Sequence, residues 1–200
     1  MKSIPDEIRK HIPFTLFGAV TGIILMLVLY NIPNQVSHNV FYTLHPMHVI
    51  LSALATASMY KIYAKKVNPL TLVLIGYLGS VGIATLSDSI IPYIAEVMLN
   101  LPNKGIHLGF IEKWWLVNPL ALLGVAIAYY NPKTKFPHAG HVLLSTWASL
   151  FHILMALDGS LRPTLVLVIF VFLFIAVLIP CCLSDIIFPL LFVNRKKDKG

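Results

Sequence analysis

The chain has 200 residues, of which 58% are hydrophobic and 12% charged, and its mean hydropathy is +0.81. Soluble domains carry roughly 25% charged residues, so this composition excludes an ordinary soluble domain and predicts an integral membrane protein. The formal net charge is +7. The basic residues form short clusters beside apolar segments, which argues against a nucleic-acid-binding surface and indicates membrane topology signals.

Apolar runs separated by polar breaks predict six transmembrane helices. The predicted spans are 13–31, 45–62, 69–87, 114–130, 139–157 and 163–184. Each is close to the roughly 20 residues that cross a hydrocarbon core of about 30 Å. Prolines stand near several predicted starts, where the missing N–H removes no helical hydrogen bond. These prolines are Pro13, Pro46, Pro69 and Pro163.

Residues 89–101 follow the third predicted span and place their apolar side chains on one helical face. This pattern predicts an amphipathic helix on the outer membrane surface, with Glu96 pointing to water. The alternative is that the segment continues the third span as one long, tilted helix.

Lys and Arg residues are distributed unevenly between the two sides of the predicted spans. Twelve of the 15 fall on the side of the termini, and the other three are Lys104, Lys113 and Arg162. Cytoplasmic loops carry an excess of Lys and Arg, so both termini are expected in the cytoplasm. The expected partners are the lipid bilayer and a homo-oligomer or larger membrane complex, with no nucleic acid.

Two sequence elements occur twice, in the same order. HPMHVILS, beginning at His45, recurs as HAGHVLLS beginning at His138, and LSDSIIP, beginning at Leu86, recurs as LSDIIFP beginning at Leu183. A duplicated unit with an odd number of spans enters the membrane from opposite sides in its two copies. The sequence therefore predicts two inverted three-helix repeats.

The predicted fold class is an all-α polytopic membrane protein of six transmembrane helices. Its parts are a cytoplasmic N-terminal segment (1–12), a first repeat (13–101), an external loop (102–112), a second repeat (113–193) and a basic cytoplasmic tail (194–200). In this arrangement one histidine pair starts a helix at the outer face and the other at the inner face. Whether the copies build one shared site or two is left open.

Each repeat offers two histidines three residues apart and one aspartate. Such histidines lie about 60° apart on a helix, and near a helix N-terminus the macrodipole favours the neutral, metal-binding imidazole. Two histidines and a carboxylate suit Zn²⁺, Fe²⁺ or Mn²⁺. The candidate metal ligands are His45, His48, Asp88, His138, His141, Asp185 and His152; the last is expected to join His48 and Asp88, with Asp158 nearby.

Other roles for these residues stay open. His45 and His138 would be interfacial histidines if they lie outside their helices, and Asp88 and Asp185 would be helix N-caps if a new helix begins after them. The remaining polar candidates fall in predicted loops and are not assigned to a site. They are His11, His38, His107 and Glu112.

The favoured function is binding, and transport, of a divalent metal ion. The alternatives are a membrane-embedded metal-dependent hydrolase, a bis-histidine haem protein using His48 and His152, and a non-catalytic membrane subunit. The Ser, His and Asp residue types resemble those of intramembrane ceramidase-like hydrolases. No residue role is carried over from that resemblance, because the histidine spacing and helix number differ.

Overall fold

The structure is a computed structural model that describes residues 4–193, without the side chains of residues 4–8, 10, 11, 135, 182, 185 and 186. Regular structure within this range is helical throughout. The predicted tail 194–200 lies outside the described residues.

Seven helices precede Leu183 in the described range. They are α1 (Ile4–Leu29), α2 (Asn34–Tyr63), α3 (Pro69–Met98), α4 (Gly109–Glu112), α5 (Trp114–Tyr130), α6 (Lys135–Ala156) and α7 (Pro163–Cys182). α3 contains two π-helical turns, Leu78–Gly82 and Leu86–Ile90. Beyond Cys182 the chain passes through a third π turn, Leu183–Ile187, and a short last helix, Phe188–Leu191.

Five of the described helices are long and apolar enough to cross a membrane, namely α1, α2, α3, α6 and α7. α5 is also apolar but has 17 residues. Its length of about 25 Å lies at the lower limit for a membrane span. A helix is therefore present over the predicted fourth span, and its crossing of the membrane stays a prediction.

Burial in this molecule is reversed relative to a soluble protein. Large apolar side chains such as Phe14 and Phe17 on α1 and Leu167 on α7 are exposed. Many serine, threonine and histidine side chains on α2 and α6, such as His48, Thr56 and Ser149, are fully buried. An apolar exterior around a polar interior suits a bundle surrounded by lipid, where interhelical hydrogen bonds hold the helices together.

Two predicted helix starts are wrong, because Pro13 and Pro46 lie inside α1 and α2. α2 follows Pro33, whose extended backbone precedes the first turn. Residues 34–44, which the prediction left outside the second span, continue the helix because Phe41 packs in the core. His45 and His48 therefore lie in the middle of α2, where the N-terminal macrodipole has no effect. His138 and His141 do lie in the first two turns of α6.

The third predicted span and residues 89–101 belong to one helix as far as Met98, so the continuous arrangement is present and a separate interfacial helix is not. The helix begins at an Asn68 cap, whose side chain accepts the Leu70 N–H at 2.9 Å, and has Pro69 in its first turn. Pro92 and Glu96, in the segment predicted to lie on the surface, are buried.

α2 lies at the centre of the bundle and packs against α5 and α6. A methyl group at Gly124 of α5 would lie 2.4 Å from the carbonyl oxygen of Ile50 on α2, so the two backbones approach closely. Small residues allow such approaches between membrane helices. The two helices that carry the histidine pairs, α2 and α6, thus lie side by side. The inverted relation of the two halves stays a prediction.

Candidate metal site

Asp88 lies in the second π turn of α3 and is fully buried. Its Oδ2 atom lies 2.9 Å from His45 Nδ1 and 2.7 Å from His48 Nδ1, both on α2. A π turn interrupts the regular α-helical hydrogen bonding and is frequent at functional sites. Asp88 is inside α3, so the alternative in which it caps a new helix does not apply.

The other carboxylate oxygen of Asp88 accepts two hydroxyl hydrogen bonds. Ser87 donates at 2.6 Å and Ser145, on α6, donates at 2.7 Å. Ser149 of α6 also donates to the main-chain carbonyl of Ser87 at 2.9 Å. Three helices therefore meet at this carboxylate, and we refer to Asp88 with His45, His48, Ser87 and Ser145 as the Asp88 centre.

The Asp88 centre has the composition of a metal site. His45, His48 and Asp88 each offer one ligand atom, and these atoms lie within 4.8 Å of one another. The Nε2 atoms of both histidines are buried without a hydrogen-bond partner among the described residues. Buried polar atoms usually have partners, so orphaned imidazole nitrogens mark a place for a ligand or water.

Two neighbours fix the orientation of His45. The Phe41 ring stacks on it, with ring centres 5.4 Å apart and an angle of 14° between planes. Gly109, the first residue of α4, lies against its Nε2 edge, so that a methyl group there would be 2.5 Å from Nε2. The first turn of α4 therefore packs directly against the Asp88 centre.

The second histidine pair adjoins the first. The rings of His48 and His141 stack with centres 5.6 Å apart and an angle of 25°, and His138 lies edge-on to His141 at 5.0 Å. The prediction that the two pairs lie at opposite membrane faces is therefore wrong. It failed because α2 begins well before His45, which places that pair at the depth of His141.

The Asp185 side chain lies outside the described residues, so its predicted role as a ligand stays a prediction. Its backbone belongs to the third π turn, as that of Asp88 belongs to the second. The neighbouring residue is Ser184, whose Oγ atom lies 3.3 Å from Ser52 Oγ and 2.9 Å from Thr56 Oγ1. This pairing with α2 matches the 3.2 Å contact of Ser87 with Ser145 on α6.

No family model, curated protein or solved structure matches this chain. What the site can do is therefore inferred from its own geometry and donor atoms.

His152 does not join His48 and Asp88 as predicted. Its Nδ1 atom lies 2.7 Å from Glu96 Oε1, so the pairing of His48 with His152 expected for a haem is not formed in the described structure. Glu96, expected to point to water, is 1% exposed. Asp158 is exposed and accepts hydrogen bonds from Ser160 instead.

α4 and the loop that precedes it carry further titratable groups that the sequence did not assign to a site. The Glu112 carboxylate accepts hydrogen bonds from the Tyr42 hydroxyl and the Leu108 N–H. Burial alone would raise the pKa of Glu112, but these hydrogen bonds outweigh it and the pKa is lowered. Burial, and then the neighbouring His152, lowers the pKa of His107. A lowered pKa keeps the imidazole neutral, which is the form that binds metals.

Proposed function

We propose that this protein binds a divalent transition-metal ion at His45, His48 and Asp88 and carries it across the membrane. The observation that carries this proposal is the convergence of two imidazole nitrogens and one carboxylate oxygen in a fully buried centre. Such a donor set suits Zn²⁺, Fe²⁺ or Mn²⁺.

The spacing of the donor atoms supports this assignment. Ligand atoms about 2.0–2.2 Å from a tetrahedral ion are separated by about 3.3–3.6 Å. The two Nδ1–Oδ2 distances are 2.9 and 2.7 Å, so a small outward movement of about 0.5 Å would admit an ion. Binding would replace the protons now shared between the imidazoles and the carboxylate, and would release them.

Charge supports the same assignment. An ionisable group inside a membrane protein is expensive to bury and is a functional candidate by default. The partners of Asp88 are two imidazoles and two hydroxyls. These groups supply hydrogen bonds, whereas a divalent cation would also balance the charge of the carboxylate.

Further histidines on both sides of the Asp88 centre support carriage of the ion. His141 and His138 adjoin His48 on one side. On the other side, Phe41 separates His45 from His152 and His107. A series of exchangeable imidazole ligands gives an ion successive binding positions. Inverted repeats of the kind predicted here are common in alternating-access carriers.

Metal content tests the binding step. Purified protein in detergent is dialysed against buffered Zn²⁺, and its zinc is counted by elemental analysis. His48→Asn and Asp88→Asn should each lose one equivalent, with affinity lowered at least about 100-fold, because even outer-shell partners are worth about 10–100-fold. Thr85→Val is the matched control, since Thr85 is buried one turn earlier on α3 and its hydroxyl donates to the Val81 carbonyl. Equal zinc in all four proteins would refute the site.

Flux into liposomes tests the transport step. Vesicles that contain the protein and a zinc-sensitive dye should take up Zn²⁺, and those with His48→Asn should not. Wild-type protein that binds zinc without flux would show that the Asp88 centre is not a carrier site. Lipid hydrolysis by that protein, lost in Asp88→Asn, would then assign the centre to a hydrolase.

A further inference from the structure

The geometry points to a second binding station for the same class of divalent ion, formed by His152 and His107 and backed by Glu96. We call it the loop station, because His107 belongs to the loop of residues 99–108. It rests on the proposed function, since it would be the position at which an ion enters or leaves the path to the Asp88 centre.

His152 is oriented as a metal-ligating histidine is. Its Nδ1 atom lies 2.7 Å from Glu96 Oε1, and Glu96 Oε2 accepts the Gly105 N–H at 3.1 Å. Metal-binding histidines usually donate their other ring N–H to a carboxylate, which fixes the tautomer and the ring orientation. Both oxygens of Glu96 are thus engaged, and the carboxylate holds His152 in place without being needed as a ligand.

The second nitrogen of His152 is available to a ligand. Its Nε2 atom is buried and has no hydrogen-bond partner among the described residues, and the side chain is fully buried. With Nδ1 donating to Glu96, Nε2 carries a lone pair. A buried nitrogen left in this state marks the position that an ion would occupy.

His107 places a second imidazole ring beside His152. The ring centres of His107 and His152 are 5.2 Å apart, with an angle of 68° between planes. Two imidazoles on one tetrahedral ion have ring centres about 5 Å apart. The His107 side chain is 26% exposed, so an ion at the loop station would be accessible from water while one of its ligands is buried.

Phe41 separates the loop station from the Asp88 centre. Its ring centre lies 5.4 Å from that of His45 and 5.4 Å from that of His152, and the side chain is fully buried. The two sets of ligands are therefore distinct but adjacent. An ion that moves between them has to pass this one aromatic ring.

Zinc counting on single variants separates the two stations. His107→Asn and His152→Gln should each lose one equivalent of Zn²⁺ relative to wild type. His48→Asn should lose a different equivalent, so that the double variant with His48→Asn and His107→Asn loses both. Lys104→Ala is the control, since Lys104 lies in the same loop, is exposed and bonds to Asn100. Size-exclusion profiles and thermal unfolding establish that each variant is folded.

The outcomes distinguish this inference from the proposed function. If His107→Asn retains the wild-type zinc content while His48→Asn loses an equivalent, the loop station is refuted and the Asp88 centre stands. If neither variant loses zinc, both are refuted. Should His152→Gln fail to fold, His107→Asn decides, because its side chain is part-exposed on a loop and its loss leaves no large cavity.

Discussion

At the scale of single residues, two buried carboxylates contact the Nδ1 atoms of three histidines. Asp88 engages Nδ1 of His45 and of His48, and Glu96 engages Nδ1 of His152. In all three rings the Nε2 atom is left without a partner in the described structure. Glu96 therefore sets the tautomer of His152, a role that carboxylates commonly have around bound metals, whereas Asp88 would itself be a ligand together with the two Nδ1 atoms that it contacts.

Gly109 offers a test of how tightly His45 must be held. Gly109→Ala would place a methyl group 2.5 Å from His45 Nε2, so either the ring or the loop has to move. We expect the Zn²⁺ affinity of the Asp88 centre to fall by about tenfold or more and the free energy of unfolding to fall by about 1–3 kcal/mol. Calorimetric zinc titration and chemical denaturation measure the two effects.

Gly82→Ala is the control for that substitution. A methyl group at Gly82 meets no atom within 4 Å, and alanine is favoured over glycine inside a helix by about 0.5–1 kcal/mol. This variant should keep wild-type zinc affinity and unfold no more easily. Unchanged affinity in Gly109→Ala would show that the position of His45 does not limit binding.

The sequence predicted some of these residues and not others for a physical reason. Asp88 stood out because its Leu-Ser-Asp segment occurs twice, and His45 and His48 because their spacing is repeated. Glu96 has no counterpart in the repeat. The prediction that it points to water assumed a regular α-helical period along the segment. The π turn at Leu86–Ile90 holds about one extra residue and so changes the face on which every later side chain lies.

At the scale of helices, the π turn that carries Asp88 is the element that builds the site. The flanking parts of α3 are held by their packing against α2 and α6. Deleting Ile90 should convert the π turn to an α turn, because a π turn holds about one residue more than an α turn. We expect the variant to fold, since the flanks keep their register, and to lose the zinc of the Asp88 centre. Elemental analysis and circular dichroism measure these outcomes.

The matched comparison for the Ile90 deletion is the deletion of a residue from a regular α-helical part of α3. Removing Leu74 would rotate one side of the helix by about 100° relative to the other, and so should lower the unfolding temperature more than removing Ile90 does. Retention of zinc after the Ile90 deletion would show that the π turn is not what positions Asp88.

The bounds of the helices were partly predictable. The Asn68-Pro69 and Arg162-Pro163 starts follow from local chemistry and are present. The start of α2 was not predictable, because residues 34–44 are too polar to extend an apolar run and are helical through tertiary packing. That one error moved His45 and His48 from a helix end to the middle of the bundle.

At the scale of the whole molecule, the helix contacts occur in matched pairs. α2 packs against α5 as α6 packs against α1. α2 also contacts the π turn Leu183–Ile187, as α6 contacts the π turn Leu86–Ile90. These pairs are what two repeats exchanging equivalent contacts would produce, and the inverted relation of the two halves stays a prediction. That relation requires six crossings of the membrane, so it depends on whether α5 spans.

Labelling of single cysteines decides the number of crossings. In a background with Cys181→Ala and Cys182→Ala, an impermeant thiol reagent is added to intact cells that carry one cysteine in an exposed loop position. The positions are Lys66, Lys104, Lys133 and Ser160. With six spans and cytoplasmic termini, Lys104→Cys and Ser160→Cys should be labelled, and Lys66→Cys and Lys133→Cys protected.

Lys133→Cys is the decisive position, because only α5 separates it from the loop that contains Lys104. If α5 does not cross, both positions lie on the same side and label together, and the odd number of crossings rules out two inverted three-helix repeats. Labelling of Lys66→Cys and Lys133→Cys with protection of the other two would keep six spans but reverse the orientation. That result would contradict the twelve-to-three distribution of Lys and Arg as a topology signal.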